Sequence, residues 1–93
     1  MNYLHYEFDA GPGDVLRVHL VGKANVMLLD EANFQKYRSG QPFTYAQGGY
    51  ATVSPVELFP PTEGHWHVVI DLGGYAGTVR AHVEQLTEQP TAE

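Results

Sequence analysis

The chain contains no cysteine, and among its 93 residues only five are Lys or Arg and two are serine. Without cysteine, disulfides and thiolate metal sites are excluded. Five basic residues against eleven acidic ones give a net charge of −6. That balance argues against nonspecific nucleic-acid binding, which depends on cationic neutralisation of phosphates, and against docking on an anionic membrane. No apolar run approaches the roughly 20 residues of a spanning helix. Neither Ser39 nor Ser54 sits in the glycine-framed turn that exposes a nucleophilic serine. Gly11-Pro12-Gly13 and Gly73-Gly74 lack the Lys-Ser or Lys-Thr pair of a phosphate loop. Asp30 and Glu31 are adjacent and do not converge as a glycosidase pair would. The opening residues MNYLHYEFD carry neither a basic segment nor a long apolar one, so no signal peptide is expected and a cytoplasmic protein is the default expectation. No cofactor is expected, and a non-enzymatic role is favoured over an enzymatic one.

What the sequence does contain is short alternating segments separated by turn residues. Tyr3–Asp9 reads as an aromatic-rich strand, closed by Ala10-Gly11-Pro12-Gly13-Asp14. Over Val15–Gly22, Leu16, Val18 and Leu20 share one face, with Arg17 and His19 on the other. Asn25–Leu29 is a short apolar run. Phe43–Gln47 and Tyr50–Phe59 are strand candidates separated by Gly48-Gly49, and Pro55 makes the second an edge or bulged strand. Over His65–Leu72, Trp66, Val68, Ile70 and Leu72 face one way, and His65, His67, Val69 and Asp71 the other. Gly73-Gly74 turns the chain, and Thr78–Val83 returns. Asp30–Ser39 carries helix signals: Asp30 as N-cap, Glu31 complementing the dipole, Phe34 and Tyr37 on one face, then Gly40 and Pro42 as a stop. Its aromatic face is expected to cap an open end of the sandwich. The fold class is therefore all-β: a small antiparallel β-sandwich or partly open barrel of about seven strands with one short helical connection. Residues 1–86 form a single β domain, followed by a disordered polar tail over residues 87–93.

Two surfaces are candidates for function. One is a ledge for a protein partner or small ligand, made of Asn33, Lys36, Tyr37, Arg38 and Tyr45, with Gly48 and Gly49 allowing close backbone approach. The other is a histidine face. A tight hairpin at Gly73-Gly74 would place His67 opposite Arg80 and His65 opposite His82; a slip of two would place His67 opposite His82. His65, His67 and His82 would then offer zinc or nickel three imidazoles, with Asp71 or Glu84 as an added carboxylate. The competing reading is a solvated outer face in which Arg80 penalises a nearby cation. Trp66, by its alternation with Val68 and Ile70, is a core anchor.

The segments YLHYEF, GDVLRVHL, ANVMLLDEANFQKYRSG, SPVELFPPTEGHWHVVIDLGG and GTVRAHV together resemble the bacterial DUF1883 family, a domain of unknown function, from about Tyr3 to Val83. The resemblance implies a compact, mostly β domain that occurs alone or fused to other modules, TIR-type signalling domains among them. It implies no catalytic residues. The functional expectation is a binding or sensory accessory module recognising a protein partner or small ligand. The alternatives are a histidine-based metal-binding domain or metal-dependent enzyme, and a structural domain that self-assembles into a homo-oligomer.

Overall fold

The computed structural model describes residues 2–87. The elements run β1 (Tyr3–Ala10), β2 (Asp14–Val21), β3 (Ala24–Leu29), α1 (Glu31–Arg38), β4 (Gln47–Ala51), β5 (Val56–Leu58), β6 (Gly64–Asp71) and β7 (Arg80–Thr87). They form two antiparallel sheets, one of four strands ordered β1-β6-β3-β4 and one of three ordered β5-β2-β7. The all-β sandwich is observed, and it is open, not a closed barrel. No helix among the described residues is long and apolar enough to cross a membrane.

Period-two alternation builds the core between the sheets. Leu16, Val18 and Leu20 of β2 meet Val26 and Leu28 of β3, and Trp66, Val68 and Ile70 of β6. Each fully buried Val, Leu or Ile contributes about 1.5–3 kcal/mol, against about 1 kcal/mol for a typical hydrogen bond, so this layer carries most of the stability. Arg17 lies on the outer face of β2, paired with Glu57 at 2.9 Å and Glu84 at 3.7 Å.

The central strand β3, and β6 from Trp66 onward, are covered on both faces, which explains the unbroken apolar run in β3. Its outer face holds Met27, Leu29 and Val69 against Phe34 and Tyr37 of α1. An eight-residue helix has little stability alone, so this packing holds it in place. Asp30 caps it, accepting from the Asn33 amide at 2.8 Å. The helix therefore covers a sheet face; it does not plug an end of the sandwich. As a result the β6 face carrying His67, Val69 and Asp71 is buried, contrary to its reading as solvated.

Four other expectations change. β6 pairs with β1 and β3, leaving no free edge, so β7 cannot return as its hairpin partner and instead joins β2. Phe43–Gln47 is not a strand before its last residue; β4 starts at Gln47 and runs through Gly48-Gly49. Tyr50–Phe59 splits around a cis Ser54–Pro55 bond, leaving β5 as an edge strand. Thr87, expected to begin the tail, ends β7, and residues 88–93 lie outside the described residues. The sheet flanks are stitched by side chains. Gln47 donates to the Phe59 carbonyl at 2.7 Å and accepts from its amide at 2.6 Å. On the opposite flank Tyr6 donates to the Ala81 carbonyl and Gln85 to that of Asp9.

Candidate metal centre

Alternation along β1 sends Leu4, Tyr6 and Phe8 to the core, which puts His5, Glu7 and Asp9 on the outer face. The antiparallel register sets Glu7 opposite His67 and Asp9 opposite His65. The start of α1 brings Glu31 over the same patch. Three imidazoles and three carboxylates from two strands and a helix thus share one surface.

They form a continuous chain of contacts. His65 Nδ1 lies 2.8 Å from Asp9 and its Nε2 lies 2.7 Å from Glu7. Glu7 is 4.0 Å from His5 Nε2. His5 Nε2 is 2.8 Å from His67 Nδ1, and His67 Nε2 is 2.7 Å from Glu31. The partners dictate the protons. Glu31 is an acceptor, so His67 Nε2 carries a hydrogen; in the neutral ring Nδ1 then accepts, and His5 donates through Nε2. His67 is 3% exposed. Phe34 stacks on it at 4.2 Å between centroids and on His5 at 4.1 Å, with interplanar angles of 8° and 15°.

The electrostatics follow from these contacts. Burial, then His67, lowers the pKa of His5. Hydrogen bonds to Asp9 and then Glu7 raise that of His65, since both ring nitrogens face acceptors. Glu7 is lowered by its bond to His65, and Glu31 by bonds from Gln35 and His67.

One ligand atom from each of His5, Glu7 and His67 lies within 4.8 Å of the others, and the same holds for Glu31, His65 and His67. Tetrahedral ligands about 2.0–2.1 Å from zinc stand roughly 3.3 Å from one another. The 2.8 and 4.0 Å separations around His5 Nε2 bracket that value.

A family model described as a domain of unknown function, DUF1883, matches residues 1–89. The chain belongs to the DUF1883 family. Neither a curated protein nor a solved structure matches it.

In this DUF1883 domain the sequence-derived histidine set is divided. His65 and His67 stay together, but His82 sits on β7 in the other sheet, opposite His19. His5 takes the place expected for His82. His5, Glu7 and Asp9 are legible only as an alternating polar face of the first strand, and Glu31 reads in the sequence as a helix-dipole residue. The ledge residues have mixed placements. Tyr37 is buried under the helix with its hydroxyl 2.6 Å from Asp71. Asn33 accepts from the Thr44 amide at 3.0 Å. Gly48 lies against β3, whereas a Cβ at Gly49 beside it would meet no atom within 4 Å. Lys36 and Arg38 are exposed, with Arg38 5.9 Å from the Phe34 ring, and Tyr45 is 47% exposed.

The shifts predict how stability of the DUF1883 domain varies with pH in chelator. His5 is lowered, so the unfolded chain binds its proton more readily, and stability falls as pH drops below the ordinary imidazole value of 6.5. Glu7 and Glu31, also lowered, add a further loss as pH falls below 4.5 and through their folded values. His65 is raised; its contribution is complete below 6.5 and is lost as pH rises through its folded value. Stability should therefore peak near the ordinary imidazole value. A His5→Gln variant, which keeps a donor for His67 but does not titrate, should show a shallower decline from that peak down to pH 4.5 in urea titrations. An unchanged slope would remove His5 as the cause.

Proposed function

We propose that this DUF1883 domain binds a divalent transition-metal ion of the zinc or nickel type through His5, Glu7 and His67. The observation that carries the reading is the short contact between His5 Nε2 and His67 Nδ1, 2.8 Å apart with the Glu7 carboxylate beside them. Two imidazole nitrogens sharing one proton in this way present two lone pairs to an ion that replaces it. Two histidines and a carboxylate form a ligand set suited to zinc, leaving a further position for water or an anion.

The surroundings suit the role. Glu31 accepts from the far nitrogen of His67, the carboxylate–histidine arrangement that fixes a ligating ring and raises its basicity. His65 holds the other oxygen of Glu7. Phe34 presses on both ligand rings and keeps them nearly coplanar. Burial of His67 limits the conformational entropy lost on binding.

The test is calorimetric titration of the chelator-stripped chain with Zn²⁺ and Ni²⁺. Saturable binding is expected, weakened at least tenfold in His5→Gln and in Glu7→Gln, which retain hydrogen-bonding groups and should fold. His82→Ala should bind as the parent does. Absence of saturable binding, or loss on His82→Ala but not on His5→Gln, would overturn the proposal; the cluster would then be a polar lock joining α1 to the sheet.

A further inference from the structure

We infer that His67 bridges two metal ions, one on each ring nitrogen, with His5 and Glu7 completing the first site and Glu31 and His65 the second. This rests on the metal-binding reading above and adds to it a second ion and a shared imidazolate.

The two nitrogens of His67 point into different ligand groups. Nδ1 faces His5 at 2.8 Å, and Nε2 faces Glu31 at 2.7 Å. Each side has its own set of three: His5, Glu7 and His67 on one, Glu31, His65 and His67 on the other. The ring cannot turn to serve a single site, because Phe34 stacks flat on it and both faces of β6 are covered. His65 stands edge-on to His67 with centroids 5.0 Å apart, and its side chain is 43% exposed, free enough to exchange its carboxylate partners for an ion.

The protons balance. The first ion takes the Nδ1 lone pair of His67 and the Nε2 lone pair of His5, whose proton moves to its own Nδ1. The second ion displaces the Nε2 proton of His67 to solvent, giving an imidazolate whose negative charge lies between two dications. His65, where it carries a proton on both nitrogens, releases one to ligate. Glu7 and Glu31 supply one carboxylate to each ion, so the four positive charges are met by three negative ones, with open positions left for water or hydroxide. The ions would stand roughly 6 Å apart, the width of an imidazole plus two metal–nitrogen bonds.

The experiment is titration of the intact chain with Cu²⁺, which imidazole ligands suit, followed together by native mass spectrometry and electron paramagnetic resonance. The expected result is two ions per chain, with the resonance of the first ion diminishing as the second enters, since an imidazolate bridge couples the two spins. The double variant Glu31→Gln with His65→Gln should stop at one ion, held more weakly than in the parent because His67 and Glu7 each lose a supporting contact, and at saturation should keep an undiminished signal. Two ions with additive, uncoupled signals would overturn the bridge. A single ion in the parent chain would overturn this inference and leave the proposed function standing. No bound ion at all would overturn both.

Discussion

Gly48→Ala is expected to lower the unfolding free energy by about 3–5 kcal/mol, a loss reserved for changes with a specific structural cause. A Cβ on Gly48 would run into the Val26 carbonyl oxygen and lie 3.0 Å from its carbon and 3.1 Å from the Met27 Cα. All three are backbone atoms of β3, which is held between β6 and β4 and cannot yield as a side chain would. The φ of +124° adds the cost of a conformation that L residues avoid. Its neighbour supplies the control. Gly49 has φ +144° but meets no atom within 4 Å. Gly49→Ala therefore carries strain without the clash, about 1–2 kcal/mol. Urea midpoints for the two variants separate the terms, and equal losses would show that the close approach to Val26 is not what fixes this position.

The same glycine shows how far the fold could be read from the sequence. Leu16, Val18 and Leu20, and Trp66, Val68 and Ile70, lie in the core as their alternation requires, because a half-buried strand writes its burial in period two. Asp30, Phe34, Tyr37 and Gly40 mark the helix within a residue or so of its ends, since capping and dipole effects are local. Gly48-Gly49 reads locally as a break, but its close contact is with Val26, a strand and a helix away. The candidate site is harder still. His67 depends on His5, 62 residues distant, and on Glu31, 36 residues distant. Which edge of β6 each neighbour takes decides which histidines meet, and that choice is a property of the whole sheet. The hairpin expected at Gly73-Gly74 selects His82; the observed pairing with β1 selects His5. The type of chemistry, imidazoles gathered on one strand face, is legible because His65 and His67 are two apart. The ligand partners are not.

Asp71→Ala is expected to cost about 3–5 kcal/mol and to weaken the proposed metal binding at a distance, because Asp71 is one of the points at which the helix is tied to the sheet. Its carboxylate is buried and accepts three bonds: from the Tyr37 hydroxyl at 2.6 Å, and from the Asn25 side chain and the Gly73 amide at 2.9 Å. Alanine leaves the Tyr37 hydroxyl, itself under the helix, without its partner, and an unpaired buried donor costs about 1–3 kcal/mol before the lost packing is counted. Asp71→Asn differs in a way that tests the mechanism. The amide oxygen can keep Asn25 and Gly73, while its NH₂ faces Tyr37, whose hydroxyl turns from donor to acceptor; the loss should be about 1 kcal/mol. Tyr37 itself reports the change. Burial first, then the hydrogen bond and charge of Asp71, push its pKa well above the usual phenol range. In Asp71→Asn the charge is gone but the burial remains, so phenolate absorbance should appear at lower pH than in the parent and still above the ordinary phenol value. The connection to the candidate metal site runs through α1: Tyr37 anchors one end of the helix whose first turns carry Glu31 and Phe34 onto His67 and His5. Zn²⁺ binding should thus survive Asp71→Asn nearly unchanged and weaken in Asp71→Ala in step with the lost stability. Equal stability of the two variants would mean that the Tyr37–Asp71 bond does not hold the helix, and that the stacking of Phe34 on the imidazoles does so instead.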